Sequence, residues 1–162
     1  TATMLTPNQF EVELLTKRAI ASEADAAAAC ESLHARGPHT VVITSLRLAS
    51  EPNQVLMFAS RHHAGVTRQW RLRLPALAQE FTGTGDLTAA LLLAWSHQLD
   101  EPWRLGEVLE KVAASVQAVL QRTQRAGRSE LCLVQSQREI VEPRVVLRAE
   151  ELPSSVAMKP AA

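Results

Sequence analysis

Two glycines and an aspartate, Gly83-Thr84-Gly85-Asp86, stand directly before an apolar run that ends at Trp95. Glycine permits the tight backbone turns that bring N–H groups close to a ligand. Because the run contains good helix formers, we expect the turn to begin a helix, whose free N–H groups and macrodipole favour an anion. Asp86 then places a carboxylate beside that anion. The pattern predicts an anion site with a neighbouring base, which phosphoryl transfer to a hydroxyl requires.

The same four residues also have a plainer interpretation. A tight turn can lead into a buried helix in which Asp86 is no more than a favourable N-terminal charge, and short glycine motifs are common in proteins. Taken alone, the motif supports the two interpretations about equally, so other parts of the chain must decide between them.

Asn8 and Glu11 form a second pair, at the start of a predicted helix that follows a short predicted strand, residues 2–5. An amide and a carboxylate three residues apart share one helical face. Such a pair can hold hydrated Mg²⁺, which takes few protein ligands and keeps several waters. The same spacing is that of a capping box, with Asn8 as the N-cap and Glu11 at the third helical position. Considered alone, the pair favours the capping box.

Thr44 and Ser45 are the third signal, at the end of the β-branched segment 40–44, which predicts a buried strand. Open α/β sheets bind ligands at the carboxyl ends of their strands. The two hydroxyls are therefore either phosphate contacts or turn formers.

The elements that must position these residues alternate between helix and strand. A capping pattern at Ser22 predicts a helix that stops at Gly37-Pro38. The other predicted elements are strands at 55–59 and 70–74 around a hairpin loop at 61–67, a long helix over 105–125, and a closing strand at 145–147. This alternation predicts an α/β sheet with helices on its faces.

Composition limits the class of protein. The chain has 162 residues, which predicts one domain, and its 17 basic and 17 acidic residues balance. That balance offers no electrostatic reason for a nucleic-acid or membrane partner, and the longest apolar run is far shorter than a membrane span. Cys30 and Cys132 lack the spacing of a disulfide frame or metal site and indicate buried thiols of a reducing compartment, which predicts the cytosol.

In combination and order, these motifs resemble the pyridoxal kinase family of the ribokinase-like superfamily. The resemblance runs from Leu5 to about Leu152 and is carried by segments 6–15, 37–38, 41–45, 83–87, 91–97, 119–123 and 134–140. GTGD, in place of the GAGD usual in sugar kinases, indicates the vitamin-kinase branch. The resemblance implies a three-layer α/β/α ribokinase-like fold, incomplete at its N-terminal side. Residues 1–152 would form the C-terminal part of a kinase domain, and 153–162 a disordered tail.

The resemblance also implies a reaction, namely ATP-dependent phosphorylation of the 5′-hydroxyl of pyridoxal, pyridoxine or pyridoxamine to the 5′-phosphate. Asp86 would be the catalytic base that accepts the hydroxyl proton. Gly83, Thr84 and Gly85 would form the anion hole for the transferring group, and the first two would also contact ATP. A homodimer is implied as well.

The same resemblance assigns roles to residues earlier in the chain. Asn8, Thr44 and Ser45 would bind ATP. Asn8 with Glu11 would organise Mg²⁺, or another divalent cation, through water. Thr6 with Thr44 would line a site for a monovalent cation, K⁺ or Na⁺.

Two departures from the family pattern shape the expectation of activity. The chain is considerably shorter than the family's, so the vitamin pocket is expected to be incomplete and turnover by these 162 residues alone to be small. The alternative function is a non-catalytic form of the kinase that binds nucleotide or another subunit, and a sugar or hydroxymethylpyrimidine kinase is a third. Segment 74–82, where the family contacts adenine, differs from the family pattern at Pro75 and Glu80.

Overall fold

A five-stranded sheet forms the centre of the fold. The computed structural model describes residues 2–77, 79 and 81–153. Its strands are β1 (Met4–Leu5), β2 (Thr40–Leu46), β3 (Gln54–His63), β4 (Val66–Pro75) and β5 (Glu150–Glu151). They are ordered β1-β2-β3-β4-β5, with β1 and β2 parallel and all other neighbours antiparallel.

Helices cover both faces of the sheet. They are α1 (Gln9–Thr16), α2 (Glu23–His34), α3 (Thr84–Leu99), α4 (Leu105–Arg125) and α5 (Gln137–Val141). Single 3₁₀ turns precede α4 and α5. The first two helices pack on one face, and α3 and α4 pack on the other. The predicted three-layer α/β/α fold is confirmed.

Two apolar cores result from the alternation of side chains along the strands. On β2, Val42 contributes to the core under α3 and α4, whereas Val41 and Ile43 contribute to the core under α1 and α2. On β3, Met57 and Phe58 divide in the same way. β2 and β3 therefore contribute to both layers, and the sheet separates the two cores.

The helix boundaries follow from local chemistry. Ser22 caps α2 by accepting a hydrogen bond from the Asp25 N–H at 3.2 Å, as its sequence pattern predicts. Helix α4 spans the predicted residues 105–125, because its apolar positions recur on one face and that face is buried. Gly127, which has a φ of +63°, follows its end.

Two strand predictions are wrong. The hairpin between β3 and β4 turns at Ala64-Gly65, two residues with positive φ of 50° and 76°, so the strands extend through most of the predicted loop 61–67. The run 145–147 is not a strand. The last strand lies three residues later at Glu150–Glu151, where Glu150 binds the Arg71 guanidinium on β4.

Arg71 and Arg73 alternate with the buried residues of β4, which predicts a solvated face. In the structure they instead bind Glu23 of α2, each at 2.7 Å and each to a different carboxylate oxygen. Arg73 also binds Glu51 at 2.8 Å and Arg71 binds Glu150. This ion-pair cluster joins β4 to α2, which belongs to the helix layer on that face of the sheet.

Cys30 and Cys132 are buried and unbonded, as predicted, and burial raises the pKa of the Cys30 thiol to about 12. Within the described residues, the structure has no helix that is both long enough and apolar enough to cross a membrane. The predicted tail 153–162 lies outside the described residues apart from Pro153, and so does Glu80.

Candidate active site

A cavity of about 740 Å³ opens beside the carboxyl end of β2. Every residue predicted to act in the site lines this cavity except Gly83. They are Thr6, Asn8, Glu11, Thr44, Ser45, Thr84, Gly85 and Asp86. Three stretches that are far apart in the chain thus meet at one edge of the sheet, where open α/β sheets bind ligands.

The GTGD motif begins α3, as predicted. Gly83 is the N-cap with a φ of +88°, a left-handed conformation that favours glycine. Because glycine offers no side chain to cap the helix, the first-turn N–H groups of Thr84, Gly85 and Asp86 stay available for a ligand. Gly83 thus shapes the turn from outside the cavity, and Asp86 is exposed in the first turn.

Thr84 and Gly85 differ in how they meet the cavity. The Thr84 hydroxyl donates to the Phe81 carbonyl at 2.9 Å and so fastens the loop before the helix. A Cβ placed on Gly85 would meet no described atom within 4 Å. The backbone at Gly85 therefore faces open space, in which an anion can approach its N–H group closely.

Asn8 and Glu11 form the capping box. The Glu11 N–H donates to Asn8 Oδ1 at 2.9 Å, and the Asn8 N–H donates to Glu11 Oε2 at 2.9 Å. The structural interpretation of this pair is confirmed. Both side chains also line the cavity, and Glu11 Oε1 has no hydrogen bond within the described part of the chain. One carboxylate oxygen thus remains available to a hydrated cation.

Thr44 and Ser45 occupy a β-bulge. Ile43 pairs with Phe58 and Leu46 with Leu56, so two residues of β2 stand opposite the single residue between those partners on β3. Bulges bend a strand and redirect its side chains, often next to functional sites. The Thr44 N–H donates to the Pro7 carbonyl at 2.9 Å, which ties this strand end to the segment before Asn8.

Four polar residues that line the cavity among the described residues are missing from the sequence prediction: Arg47, Gln79, Thr88 and Gln117. Arg47 is exposed and lies two positions beyond Ser45, so a search for a cation just after the strand end would have found it. Gln117 lies in the middle of α4, and its position gives no comparable signal. Only the packing of α4 against the cavity identifies it.

The residues that line the cavity form two chemically different groups. One group, called the polar end below, comprises the residues of the three predicted motifs together with Arg47. The remaining walls are mostly apolar: Val55, Met57, Leu74, Leu77, Phe81, Val112, Ala113, Val116 and Leu120. Ligand sites that are largely apolar with a few placed polar groups are typical of small-molecule binding. This lining suits a ligand that carries both an anionic group and a flat apolar group.

Sites for Mg²⁺ are built from oxygen donors. In the part of the chain that the structure describes, no group of three His, Cys, Asp or Glu side chains could hold a metal directly. Glu11 Oε1 and the neighbouring amide of Asn8 fit the water-mediated contact that Mg²⁺ favours. Thr6 and Thr44, predicted to line a monovalent-cation site, both line the cavity.

The layered sheet and this cavity define an α/β fold of the ribokinase-like class. The pyridoxal kinase from Leishmania donovani, solved in complex with ADP and pyridoxine, has a TM-score of 0.84 to this chain at 27% sequence identity. The match covers 93% of this chain and 50% of that structure. The pyridoxal kinase from Trypanosoma brucei has a TM-score of 0.81 at 29% identity, over 93% of this chain and 52% of that structure.

The family model described as phosphomethylpyrimidine kinase matches residues 1–130, and the chain belongs to this family. Pyridoxal kinase of Sus scrofa is 39% identical over 171 residues, and that of Arabidopsis thaliana is 41% identical over 162. These alignments cover 93% and 92% of this chain, and 52% and 50% of the relatives. The chain spans about half the length of the curated relatives it matches. The predicted resemblance to the C-terminal portion of pyridoxal kinases is confirmed.

Proposed function

We propose that residues 1–152 are the ATP-binding and phosphoryl-transfer part of a kinase domain that phosphorylates the 5′-hydroxyl of pyridoxal, pyridoxine and pyridoxamine. The observation that carries this proposal is the cavity itself, whose lining includes residues 6, 8, 11, 44, 45 and 84–86. The similarity to proteins named pyridoxal kinase supports the choice of substrate.

The anion hole is proposed at the start of α3. The N–H groups of Thr84 and Gly85 would donate to the transferring phosphoryl group, while Gly83 sets the turn that exposes them. Phosphoryl transfer depends mainly on positioning and on stabilising spread negative charge. Removing one preorganised donor of this kind costs on the order of 10²–10³ in rate. The other phosphates of ATP would contact the hydroxyls of Thr44 and Ser45.

Asp86 is the proposed base. Its carboxylate would accept the proton of the vitamin 5′-hydroxyl while that oxygen forms its bond to phosphorus and the bond to the departing ADP breaks. A positioned base contributes typically about 10²–10⁴ in rate. Support comes from the exposed position of Asp86 in the cavity wall, one residue beyond the proposed anion hole.

Cations belong to the same proposal. Glu11 and Asn8 would hold Mg²⁺, or another divalent cation, through water at the polar end, and the ion would neutralise phosphate charge when bound. Thr6 and Thr44 would supply oxygen ligands to K⁺ or Na⁺. The free oxygen of Glu11 and the shared cavity wall support these assignments.

The proposal extends to partners and location. The resemblance to pyridoxal kinases supports a homodimer. The two buried, unbonded thiols fit the reducing conditions of the cytosol, where we propose that the protein acts.

A second candidate is a non-catalytic form of the same kinase that binds nucleotide or a further subunit. The observation that favours it is coverage, since the chain spans about half the length of its curated relatives. The enzyme and the nucleotide-binding form of the second candidate both place ATP in this cavity, and they differ in whether a vitamin hydroxyl reaches Asp86.

One experiment separates the candidates. The purified chain and its Asp86→Asn variant are incubated with Mg-ATP and pyridoxal, and formation of the 5′-phosphate is followed beside direct measurement of Mg-ATP binding. Turnover that Asp86→Asn abolishes supports the enzyme. Nucleotide binding without turnover supports the nucleotide-binding form of the second candidate, and the absence of both contradicts the enzyme and that form. A panel that includes a hydroxymethylpyrimidine tests the substrate that the family name suggests.

A further inference from the structure

Gln117 is an unsatisfied amide in the apolar wall of the cavity. Its side-chain Oε1 is buried and has no hydrogen-bond partner among the described residues. An acceptor in this position loses its water without regaining a hydrogen bond, which is costly in a folded protein. A buried polar group left in this state at a cavity wall takes its partner from a bound water or from a ligand.

The residues around Gln117 indicate which chemical group of a ligand would contact it. Five residues of α4 line the cavity, at positions 112, 113, 116, 117 and 120, which lie along one face of the helix. The other four are valine, alanine or leucine, so Gln117 is the one hydrogen-bonding side chain that this helix contributes to the cavity. Across the same cavity, Leu77 and Phe81 provide further apolar surface. A flat apolar group with one donor on its edge complements these walls.

We infer that Gln117 recognises the nucleotide base. Its Oε1 accepts a hydrogen bond from the 6-amine of adenine. This inference rests on the proposed function, because it takes ATP as the ligand whose phosphates occupy the polar end. The base then lies among the apolar walls, where the amine meets the unpaired acceptor. A 6-oxo purine such as guanine presents an acceptor at the same point, so it cannot donate to Gln117 Oε1 in the orientation that the amide has here.

The decisive comparison uses two nucleotides that differ at one position. Purine riboside 5′-triphosphate lacks the 6-amine of ATP and keeps its phosphates and ring. We expect the wild-type chain to bind Mg-ATP about tenfold more tightly than this analogue, because the analogue leaves Gln117 Oε1 unpaired. Affinities are measured by titration calorimetry on the full chain.

Two variants test whether Gln117 causes the preference for ATP over the analogue. Gln117→Met keeps the length of the side chain and removes the amide, and we expect it to bind the two nucleotides equally, within about twofold. Gln121→Leu is the control: Gln121 lies one turn further along α4, is exposed beside Arg122 and Arg125, and is not among the residues that line the cavity. This control should retain the tenfold preference.

The outcomes are distinct. If wild-type chain binds both nucleotides with equal affinity, or if Gln117→Met keeps the preference, the inference is wrong while the proposed ATP site stands. If wild-type chain binds neither nucleotide, the inference and the proposed function fall together. The wild-type comparison needs no variant, so a folding defect in Gln117→Met does not remove the test.

Discussion

Asn8 and Glu11 hold each other through two reciprocal hydrogen bonds of 2.9 Å at the start of α1. The bonds use Asn8 Oδ1 and Glu11 Oε2, and leave Glu11 Oε1 without a hydrogen bond among the described residues. The two interpretations of this pair, as a helix cap and as a contact to hydrated Mg²⁺, therefore use different atoms and are compatible. Because the roles depend on different properties, substitution can separate them.

Glu11→Gln should keep the cap and lose the cation contact. Glutamine serves as well as glutamate at the third position of a capping box, so we expect the free energy of unfolding to change by less than about 0.5 kcal/mol. The dependence of ATP affinity on Mg²⁺ should weaken, since the carboxylate charge is gone. Urea denaturation and nucleotide titrations with and without Mg²⁺ measure the two effects.

Glu11→Ala is the comparison for this prediction. It removes both roles and should lower the free energy of unfolding by about 0.3–1.5 kcal/mol as well as the Mg²⁺ effect. If Glu11→Gln bound Mg-ATP as the wild-type chain does, Glu11 would be a helix cap only.

The two glycines of the GTGD motif should respond in opposite ways to alanine. Gly83 has a φ of +88°, so Gly83→Ala should lower the free energy of unfolding by about 1–2 kcal/mol. Gly85→Ala should leave stability unchanged or raise it by up to about 1 kcal/mol, because alanine is the better helix former. It should nevertheless weaken nucleotide binding, since its methyl group enters the open space beside the proposed anion hole.

Chemical denaturation and nucleotide titration of the two variants check these predictions. A Gly85→Ala variant with wild-type nucleotide affinity would show that no phosphate approaches this N–H group closely. A Gly83→Ala variant as stable as the wild-type chain would show that the turn can adopt another conformation.

Much of the fold could be predicted from sequence, because local rules and burial agree in most elements. The residues of α4 recur at helical spacing on a buried face, and its predicted bounds of 105–125 are those observed. The end of β3 at Arg61, His62 and His63 could not be predicted, because these polar side chains give no strand pattern. Their backbone is extended because it pairs with β4. Glu150–Glu151 gives no strand signal either, and its pairing depends on arginines of β4.

Only part of the candidate site could be predicted from the sequence as well. Residues in short motifs, such as Asn8 or Asp86, could be found because their chemistry depends on near neighbours in the chain. Gln117 could not, since its importance arises only where α4 passes a cavity formed by distant segments. The bulge at Thr44 and Ser45 likewise depends on the register between β2 and β3, which no local pattern reports.

The ion pairs of Glu51 and Glu150 should make the stability of the fold depend on pH in the acidic range. Hydrogen bonds from Arg73 and Arg71, respectively, hold the pKa of each carboxyl below its ordinary value of 4.5. The folded state therefore binds these protons less readily than the unfolded state does. Their contribution to stability is present above about pH 4.5 and is lost as the pH falls through the lowered pKa.

Thermal unfolding between pH 6 and pH 3 tests this dependence. Glu51→Gln should flatten the fall in Tm on acidification relative to wild-type chain. Glu130→Gln is the control, because Glu130 is exposed and forms no ion pair with the described residues. A Glu51→Gln curve parallel to that of the wild-type chain would contradict the assigned role.

Gly106→Ala should destabilise the chain even though alanine favours helices. A Cβ at Gly106 would lie 2.9 Å from Trp70 Cδ1 and 3.3 Å from Trp70 Nε1, and Trp70 is only 4% exposed. Overpacking of this kind costs about 1–3 kcal/mol, more than the gain of up to about 1 kcal/mol in helix propensity. Chemical denaturation followed by tryptophan fluorescence measures the change.

If this variant equalled the wild-type chain in stability, α4 would have to shift away from β4 at no cost. Gly85→Ala is the useful comparison, since the same methyl group there meets no described atom within 4 Å.

The cavity is walled by both helical layers, with α1 on one face of the sheet and α3 and α4 on the other. The two apolar cores are otherwise separated by the sheet. A ligand that spans the cavity touches Glu11 from one layer and Asp86 from the other, and so acts as a non-covalent cross-link between them. Its binding free energy adds to the stability of the whole chain by mass action. Occupancy would then determine whether the two halves of the molecule unfold together or one after the other.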